Sequence, residues 1–422
     1  MEITNKIKYH DPSEYIRNLQ QLLVSDKKKI GFLFGAGTSS SVINPKKKKS
    51  YIPSIGEMTE TIETEIKKEE EEYKNPIDEI KKEIKEDGKV YTIETLLTKL
   101  ELKKQVVGCG KLNDLDKNGI KRLIGLIKEQ IHKLVAIQDE IEAIKLPHSL
   151  FAEWIKKANR KSAIEIFTTN YDFLFEVAFE YNALPYYDGF TGSYQPFFDG
   201  EAVDYLSFLP NQTKLWKIHG SLGWHYDESL KRVLRKCPDP KDILIYPSTL
   251  KYDQSRKQPY TALGDRLTNF IKQSDTVLIV CGYSFGDEHI NERINTALLE
   301  NPLGHVYVLF YDKEWDENEK KYYYRLTEDS DMAKKAISNC QLSVFGMRSA
   351  VIGGVYGIWR LKREPDKDDS ISIHAYYDYN KNDKIDTGTE QDWSGKGELI
   401  LPDFDKFVKF LQCMIFQNSN ER

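Results

Sequence analysis

Four short segments of this 422-residue chain carry side chains able to do chemistry, each at the end of an apolar run. They are Ile30-Gly-Phe-Leu-Phe-Gly-Ala-Gly-Thr-Ser39, Phe167-Thr-Thr-Asn-Tyr-Asp172, Ile218-His-Gly-Ser221 and Val280-Cys-Gly-Tyr-Ser-Phe-Gly-Asp287. In the first, Gly35, Ala36 and Gly37 form a turn whose backbone can approach a pyrophosphate, because glycine has no Cβ in the way. A helix starting there adds unpaired N–H groups and a partial positive charge. Thr38, Ser39 and Ser40 add hydroxyl donors. In the second, Asn170 can bond a sugar hydroxyl or hold a water, and Asp172 can bind or cap the next helix. Thr169 stands between the two strand-end positions and is taken into the binding set. In the third, His219 carries an imidazole poised near neutrality, suited to act as general base on a hydroxyl or water. In the fourth, Gly282 permits close approach and Ser284 can donate to phosphate or ribose, while Asp287 reads as a helix cap.

Other polar residues are weaker candidates. Glu57 lies at the offset of a ribose-binding acid beyond Gly37, yet no second strand carries it, so it reads as helix surface. His225 and His289 read as packing or surface residues. The Lys46–Lys49 run reads as solvated charge.

The elements that must position these groups alternate strand and helix, which implies an α/β fold with a parallel sheet and ligands at the strand ends. Strands are expected at Ile30–Phe34, Ala163–Thr168, Leu215–Ile218, Ile243–Tyr246, Thr276–Val280 and His305–Phe310. Helices are expected at residues 12–25, Tyr171–Tyr181, Gln258–Ile271 and Asp287–Leu299. From about Met58 to Lys161 charged residues alternate with apolar ones three and four apart, as in Leu96, Leu97 and Leu100, which predicts a helical insertion. Residues 1–320 are thus expected to form the nucleotide-binding domain with the insertion at 58–161. Residues 321–422 are expected to be a C-terminal extension with β content.

Composition narrows the class. Hydrophobic residues make up 40% and charged residues 30%, as in globular proteins. The net charge of −5, from 66 acids and 61 bases, gives the chain no overall electrostatic signature for nucleic acid. The start has no apolar run of signal type, and no run approaches a membrane span, so a cytoplasmic location is expected. Five dispersed cysteines without a Cys-x-x-Cys pair argue against a disulfide framework and against a zinc site built from local pairs.

Together the four segments resemble the sirtuin family, and more narrowly the divergent bacterial sirtuin-like domains of antiphage defence. The resemblance rests on Gly35, Ala36, Gly37 and Ser39; on Thr168, Asn170 and Asp172; on His219 and Gly220; and on Gly282 and Ser284. It spans about residues 25–310. It implies a Rossmann-like sheet that binds NAD as substrate, with attack at the carbon joining nicotinamide to ribose. Deacetylating sirtuins carry a zinc module of two Cys-x-x-Cys pairs, which this chain lacks. Their Asp-Phe-Arg element is missing too, with Ile52-Pro-Ser-Ile-Gly56 in its place. The expectation is therefore an NAD glycohydrolase without zinc, with Asn170 and His219 catalytic. Gly35, Ala36, Gly37, Thr38, Ser39, Thr169, Asp172, Gly282 and Ser284 would contact the nucleotide.

The architecture resembles the subunit paired with a HerA-type ATPase, which implies that partner. Apolar residues outside the sheet domain, among them Leu96, Leu97, Leu100, Phe407, Leu411 and Ile415, need something to pack on, so a homo-oligomer is expected. Two other classes stand as alternatives: a sensor that binds NAD or ADP-ribose with little hydrolysis, and a nuclease component supported by Lys46–Lys49 alone.

Overall fold

The structure is a computed structural model describing residues 8–137, 141–158, 160–240, 244–245, 254–366, 372–379 and 394–419. Its centre is a ten-stranded sheet. In chain order the strands are β1 (Tyr9–His10), β2 (Lys29–Phe34), β3 (Glu165–Thr168), β4 (Tyr186–Tyr187), β5 (Thr213–Lys217), β6 (Thr276–Cys281), β7 (His305–Leu309), β8 (Leu342–Phe345), β9 (Ser349–Ile352) and β10 (Val355–Trp359). Their spatial order is β1-β10-β9-β8-β7-β6-β2-β3-β5-β4. From β8 through β4 every pairing is parallel; β9 runs antiparallel to both neighbours, and β1 is parallel to β10. The chain is thus an α/β protein with a Rossmann-like sheet, as the alternation of elements predicts.

Both faces of this sheet are buried, so its central strands β2 and β6 read as nearly continuous apolar runs, residues 30–34 and 277–281, instead of alternating with polar residues. Phe32, Phe34, Ile279 and Cys281 point into one core, while Leu33, Leu278 and Val280 point into the other. The first core is closed by α1 (Pro12–Val24), α7 (Pro147–Ala158), α8 (Leu174–Tyr181) and α13 (Phe404–Ser419). The second is closed by α10 (Gln254–Lys272), α11 (Glu288–Glu300) and α12 (Asp331–Ile337).

The insertion contains α3 (Ile55–Glu69), α4 (Lys74–Glu86), α5 (Ile93–Val106) and α6 (Lys117–Val135), which share a third core. Helix α3 starts at Ile55, three residues before the pattern change, because Ser54 and Glu57 close a capping box. That explains Glu57: its carboxylate accepts from the Ser54 N–H at 3.0 Å. Helix α7 lies inside the expected insertion range but packs on the sheet, with Phe151 and Trp154 against Phe32.

Two further differences have physical causes. His305–Leu309 does not end the sheet: residues 342–359 of the expected extension add three strands, paired onto β7 through β8. Phe407 and Leu411 are fully buried in the sheet's first core, and Leu96, Leu97 and Leu100 are buried within the insertion. These residues, and the partly buried Ile415, pack within their own chain. Helix α8 begins at Leu174 instead of Tyr171, because Asp172 Oδ1 accepts the Leu174 N–H at 2.9 Å and holds the preceding residues out of the helix. Of the strand expected at Ile243–Tyr246, Leu244–Ile245 pairs antiparallel with Gly220–Ser221, and the other two residues lie outside the described residues.

Candidate functional site

Register brings the four segments to one edge. Cys281 of β6 pairs with Phe34 of β2, Phe34 with Thr168 of β3, and Thr168 with Lys217 of β5. The ladder runs one residue further: Gly35 donates to Cys281 O at 3.1 Å, Thr169 to Phe34 O at 3.1 Å, and Ile218 to Thr168 O at 2.8 Å. Asn170 and His219 therefore each leave the sheet two residues beyond a paired row. Parallel sheets place ligands at this carboxyl edge, where crossovers diverge, and β2 sits between β6 and β3 at that point.

The glycines are there first for each other. A Cβ on Gly35 would lie 2.5 Å from Gly282 O, and one on Gly37 would lie 2.7 Å from Gly282 Cα. Gly282 has φ +67°, and a Cβ there would meet the Thr38 nitrogen at 2.7 Å. Gly37 N–H donates to Gly282 O at 2.9 Å, so the two turns are stapled backbone to backbone. The helix that follows, α2 (Ala36–Ser40), is only five residues long. Ala36 and Gly37 are exposed to solvent, while Thr38 and Ser39 are buried.

Thr38, Ser39, Asn170 and Asp172 are brought together, bonded to one another. Asn170 Nδ2 donates to Gly35 O at 3.1 Å and reaches Thr38 Oγ1 at 3.0 Å and Ser39 Oγ at 2.8 Å. Ser39 Oγ donates to Asp172 Oδ2 at 2.6 Å. This lashes the first turn to the end of β3. Asn170 Oδ1 makes no hydrogen bond among the described residues, so the acceptor end of this amide is what it can present to a ligand. Beneath lies a pair that sequence reasoning missed: buried Lys217 donates to Glu176 Oε1 at 2.6 Å and to the Asp172 carbonyl. Burial pushes the Glu176 carboxyl up, against the pull of Lys217. The signal available was a lysine inside an apolar strand.

His219 is buried, and its Nε2 lies 2.9 Å from Asp287 Oδ2. Asp287 Oδ1 also caps α11, accepting from His289 N at 2.9 Å and Ile290 N at 3.3 Å. Burial alone would raise the Asp287 pKa, but the His219 hydrogen bond and charge and the two backbone donors outweigh it, so the net shift is downward. An ionised carboxylate only accepts, so His219 Nε2 donates to Asp287, and in the neutral ring Nδ1 is then the acceptor nitrogen. Asp287 thus does more than the capping that its position predicts. The loop leading to it is held by Asn291, whose Nδ2 donates to Phe285 O at 2.8 Å while its Oδ1 accepts the Tyr283 hydroxyl at 3.1 Å. Ser284 sits exposed on this loop without a hydrogen bond among the described residues, and Thr169 is half-buried beside the first turn.

Lys46–Lys48 occupy an exposed hairpin turn, His289 is exposed, and His225 is buried. Among the described residues no group of three or more His, Cys, Asp or Glu is placed to hold a metal ion, and no helix is long and apolar enough to cross a membrane.

An amide, an imidazole–carboxylate pair and two opposed glycine turns thus share one parallel-sheet edge. Residues 164–330 match the family model of the SIR2-like domain. The SIR2-like segment begins at β3, runs past β7, and contains Asn170, Asp172, His219, Gly282, Ser284 and Asp287. The Gly35–Ser39 turn lies outside the matched residues but is stapled to the SIR2-like segment through Gly282. SIR2-like domains bind NAD and are typically NAD-dependent enzymes. No curated protein matches the chain.

Proposed function

We propose that this protein is an NAD glycohydrolase that cleaves the bond between nicotinamide and ribose. The observation that carries the reading is the His219–Asp287 pair, set one strand away from Asn170 on the edge where the glycine turns meet. Nicotinamide leaves a cationic linkage, so the transition state resembles an oxocarbenium ion and needs placement and a poised base more than a strong acid. His219, oriented by Asp287, takes a proton through Nδ1 from a ribose hydroxyl or the attacking water. Asn170 offers Oδ1 to the ribose or that water. Ala36, Gly37, Thr169 and Ser284 line the approach for the phosphates. Thr38, Ser39 and Asp172 act from behind by fixing Asn170.

The reading extends to biology as a proposal: NAD depletion in antiphage defence, in the cytoplasm, held silent by assembly into a homo-oligomer with a HerA-type ATPase. The test is nicotinamide release from NAD by the purified chain, alone and with such an ATPase, alongside light scattering. Release that depends on His219 and Asp287 supports the reading. A sensor is the second reading, favoured by one observation: the donor end of Asn170 is consumed inside the protein. Tight NAD or ADP-ribose binding without nicotinamide release under any assembly would establish the sensor and sink the hydrolase.

A further inference from the structure

The insertion reaches the candidate site. Its core includes Tyr171 and Leu174 beyond β3 and Leu222 beyond β5, so α3–α6 pack over the ends of the strands that carry Asn170 and His219. Leu222 N donates to Tyr171 O at 3.0 Å, closing the two strand ends together beneath the insertion. The Tyr171 hydroxyl reaches Met58 Sδ of α3 at 3.5 Å. Thr59 of α3 in turn accepts the Ile93 N–H at 2.9 Å, which fixes where α5 begins. Thr92 caps that start, its hydroxyl accepting from Thr95 N at 3.2 Å.

This chain of contacts sets the position of Glu94, in the first turn of α5. Glu94 is half-buried, and its carboxyl makes no hydrogen bond or ion pair among the described residues. Elsewhere in the insertion the enclosed acids have cations: Glu63 bonds Lys67 at 2.7 Å, and Glu83 bonds Lys103 at 2.8 Å. Glu94 interacts electrostatically with His219, Asp287 and Tyr171. Burial raises the Glu94 pKa, His219 lowers it and Asp287 raises it, for a net upward shift. A half-enclosed carboxylate with no protein donor has lost part of its hydration without compensation, and a substrate with hydroxyls and a developing positive charge supplies what is missing.

We propose that Glu94 is a catalytic residue delivered by the insertion, placed to hold the ribosyl group of the nucleotide beside His219. The proposal rests on the NAD-cleaving reading. In that reaction the bond from ribosyl C1′ to the pyridinium nitrogen breaks, and its electron pair stays on nitrogen, giving neutral nicotinamide. C1′ gains positive charge, a water oxygen bonds to it, and the water's proton passes to His219. The Glu94 carboxylate is not consumed. It accepts hydrogen bonds from ribose hydroxyls and places negative charge near the developing cation. The insertion then does more than cover the sheet edge: the site is incomplete without it.

The experiment compares the full-length protein with Glu94→Gln and Glu94→Asp, following nicotinamide release from NAD across the acid-to-neutral range. Glu94→Gln keeps the shape and removes the charge. It is expected to lower kcat about 10²-fold with KM within about threefold, and to abolish the acid limb on which the rate falls as Glu94 takes up its proton. Glu94→Asp, which keeps the charge, is expected to keep an acid limb, and it serves as the probe if the glutamine variant does not fold. Glu94→Gln with native kcat and native pH profile overturns the proposal while leaving the NAD-cleaving reading intact. If the unaltered protein releases no nicotinamide, that reading fails, and ADP-ribose binding decides the role of Glu94. Binding about tenfold weaker in Glu94→Gln supports the ribosyl contact, and equal binding overturns it.

Discussion

Gly37 and Gly282 lie in separate turns 245 residues apart in sequence, and their backbones touch: the Gly37 N–H donates to the Gly282 carbonyl at 2.9 Å. Neither position has room for a methyl group. Gly37→Ala would push a Cβ to 2.7 Å from Gly282 Cα, and Gly282→Ala would add strain at φ +67°. Each is expected to cost about 3 kcal/mol of stability. Because both break one contact, the double variant should lose less than the sum. Urea unfolding of the three variants checks this; full additivity would mean that the two turns do not act as a unit.

Asp287 can be separated from its capping task. Asn is as good a cap as Asp, so Asp287→Asn should keep the cap of α11 and lose only the stability that the ionised carboxylate adds. It removes the charge that orients His219, so nicotinamide release should fall about 10²-fold, as should release by His219→Ala. The lowered Asp287 pKa also has a stability consequence. A carboxylate depressed by folding contributes stability above its unfolded pKa, and that contribution is lost as pH falls through the folded value. An Asp287→Asn variant that turns over NAD at the native rate would remove Asp287 from the mechanism.

Asn170 binds two ways, and its variants must be read accordingly. Asn170→Ala deletes the donor to Gly35 O, Thr38 and Ser39, and it is expected to cost about 2 kcal/mol in addition to abolishing cleavage. Ser39→Ala strips Asp172 Oδ2 of its 2.6 Å donor while touching no ligand. It should destabilise by a similar ~2 kcal/mol and weaken catalysis only through a loosened Asn170. Thermal unfolding measured beside activity distinguishes the two. A Ser39→Ala protein that is natively stable would show that the knot contributes nothing.

His148 gives the protein an acid-sensitive point away from the site. Its ring is fully buried between Phe175 at 4.6 Å and Phe404 at 5.0 Å, and neither nitrogen has a hydrogen-bond partner among the described residues. Burial pushes its pKa down from 6.5 to about 4. A histidine depressed by folding contributes stability that is complete above pH 6.5 and is lost as pH falls toward 4, an effect on the order of 3 kcal/mol. His148→Leu should flatten the loss of stability between those values, as followed by urea midpoints at several pH values. An unchanged acid limb would assign that loss to other groups.

The strand ends were legible in sequence because their signals are local. An apolar β-branched run, a glycine and a polar residue sit within ten positions at Ile30–Ser39 and again at Val280–Asp287. His219 stood out for the same reason. Its partner did not, since pairing with Asp287 depends on β6 and β5 flanking the β2–β3 pair, which only the sheet order fixes. Glu94 was hidden more deeply, as one of many acids on a charged helical stretch. Its distinction is the absence of a nearby cation, and that needs packing to be seen. Residues 342–359 read as an extension because the helical and polar residues before them interrupt the strand rhythm, whereas in space β8 follows β7 directly.

The first strand of the sheet lies against the last: Tyr9 and His10 pair with Ile358 and Trp359, and His10 Nε2 lies 3.0 Å from Val355 O. Beyond them, Phe404 and Phe407 of α13 pack on Phe34 and Phe32, on the strand that ends in the glycine turn. Opening segments therefore wait for closing ones. Until α13 has been made, the glycine-turn strand lacks the helix that backs it, and contacts this distant in sequence form slowly. For the proposed NAD cleavage that order of events is a safeguard: a product that stops before α13 leaves this sheet face open, and no cleavage is expected of it.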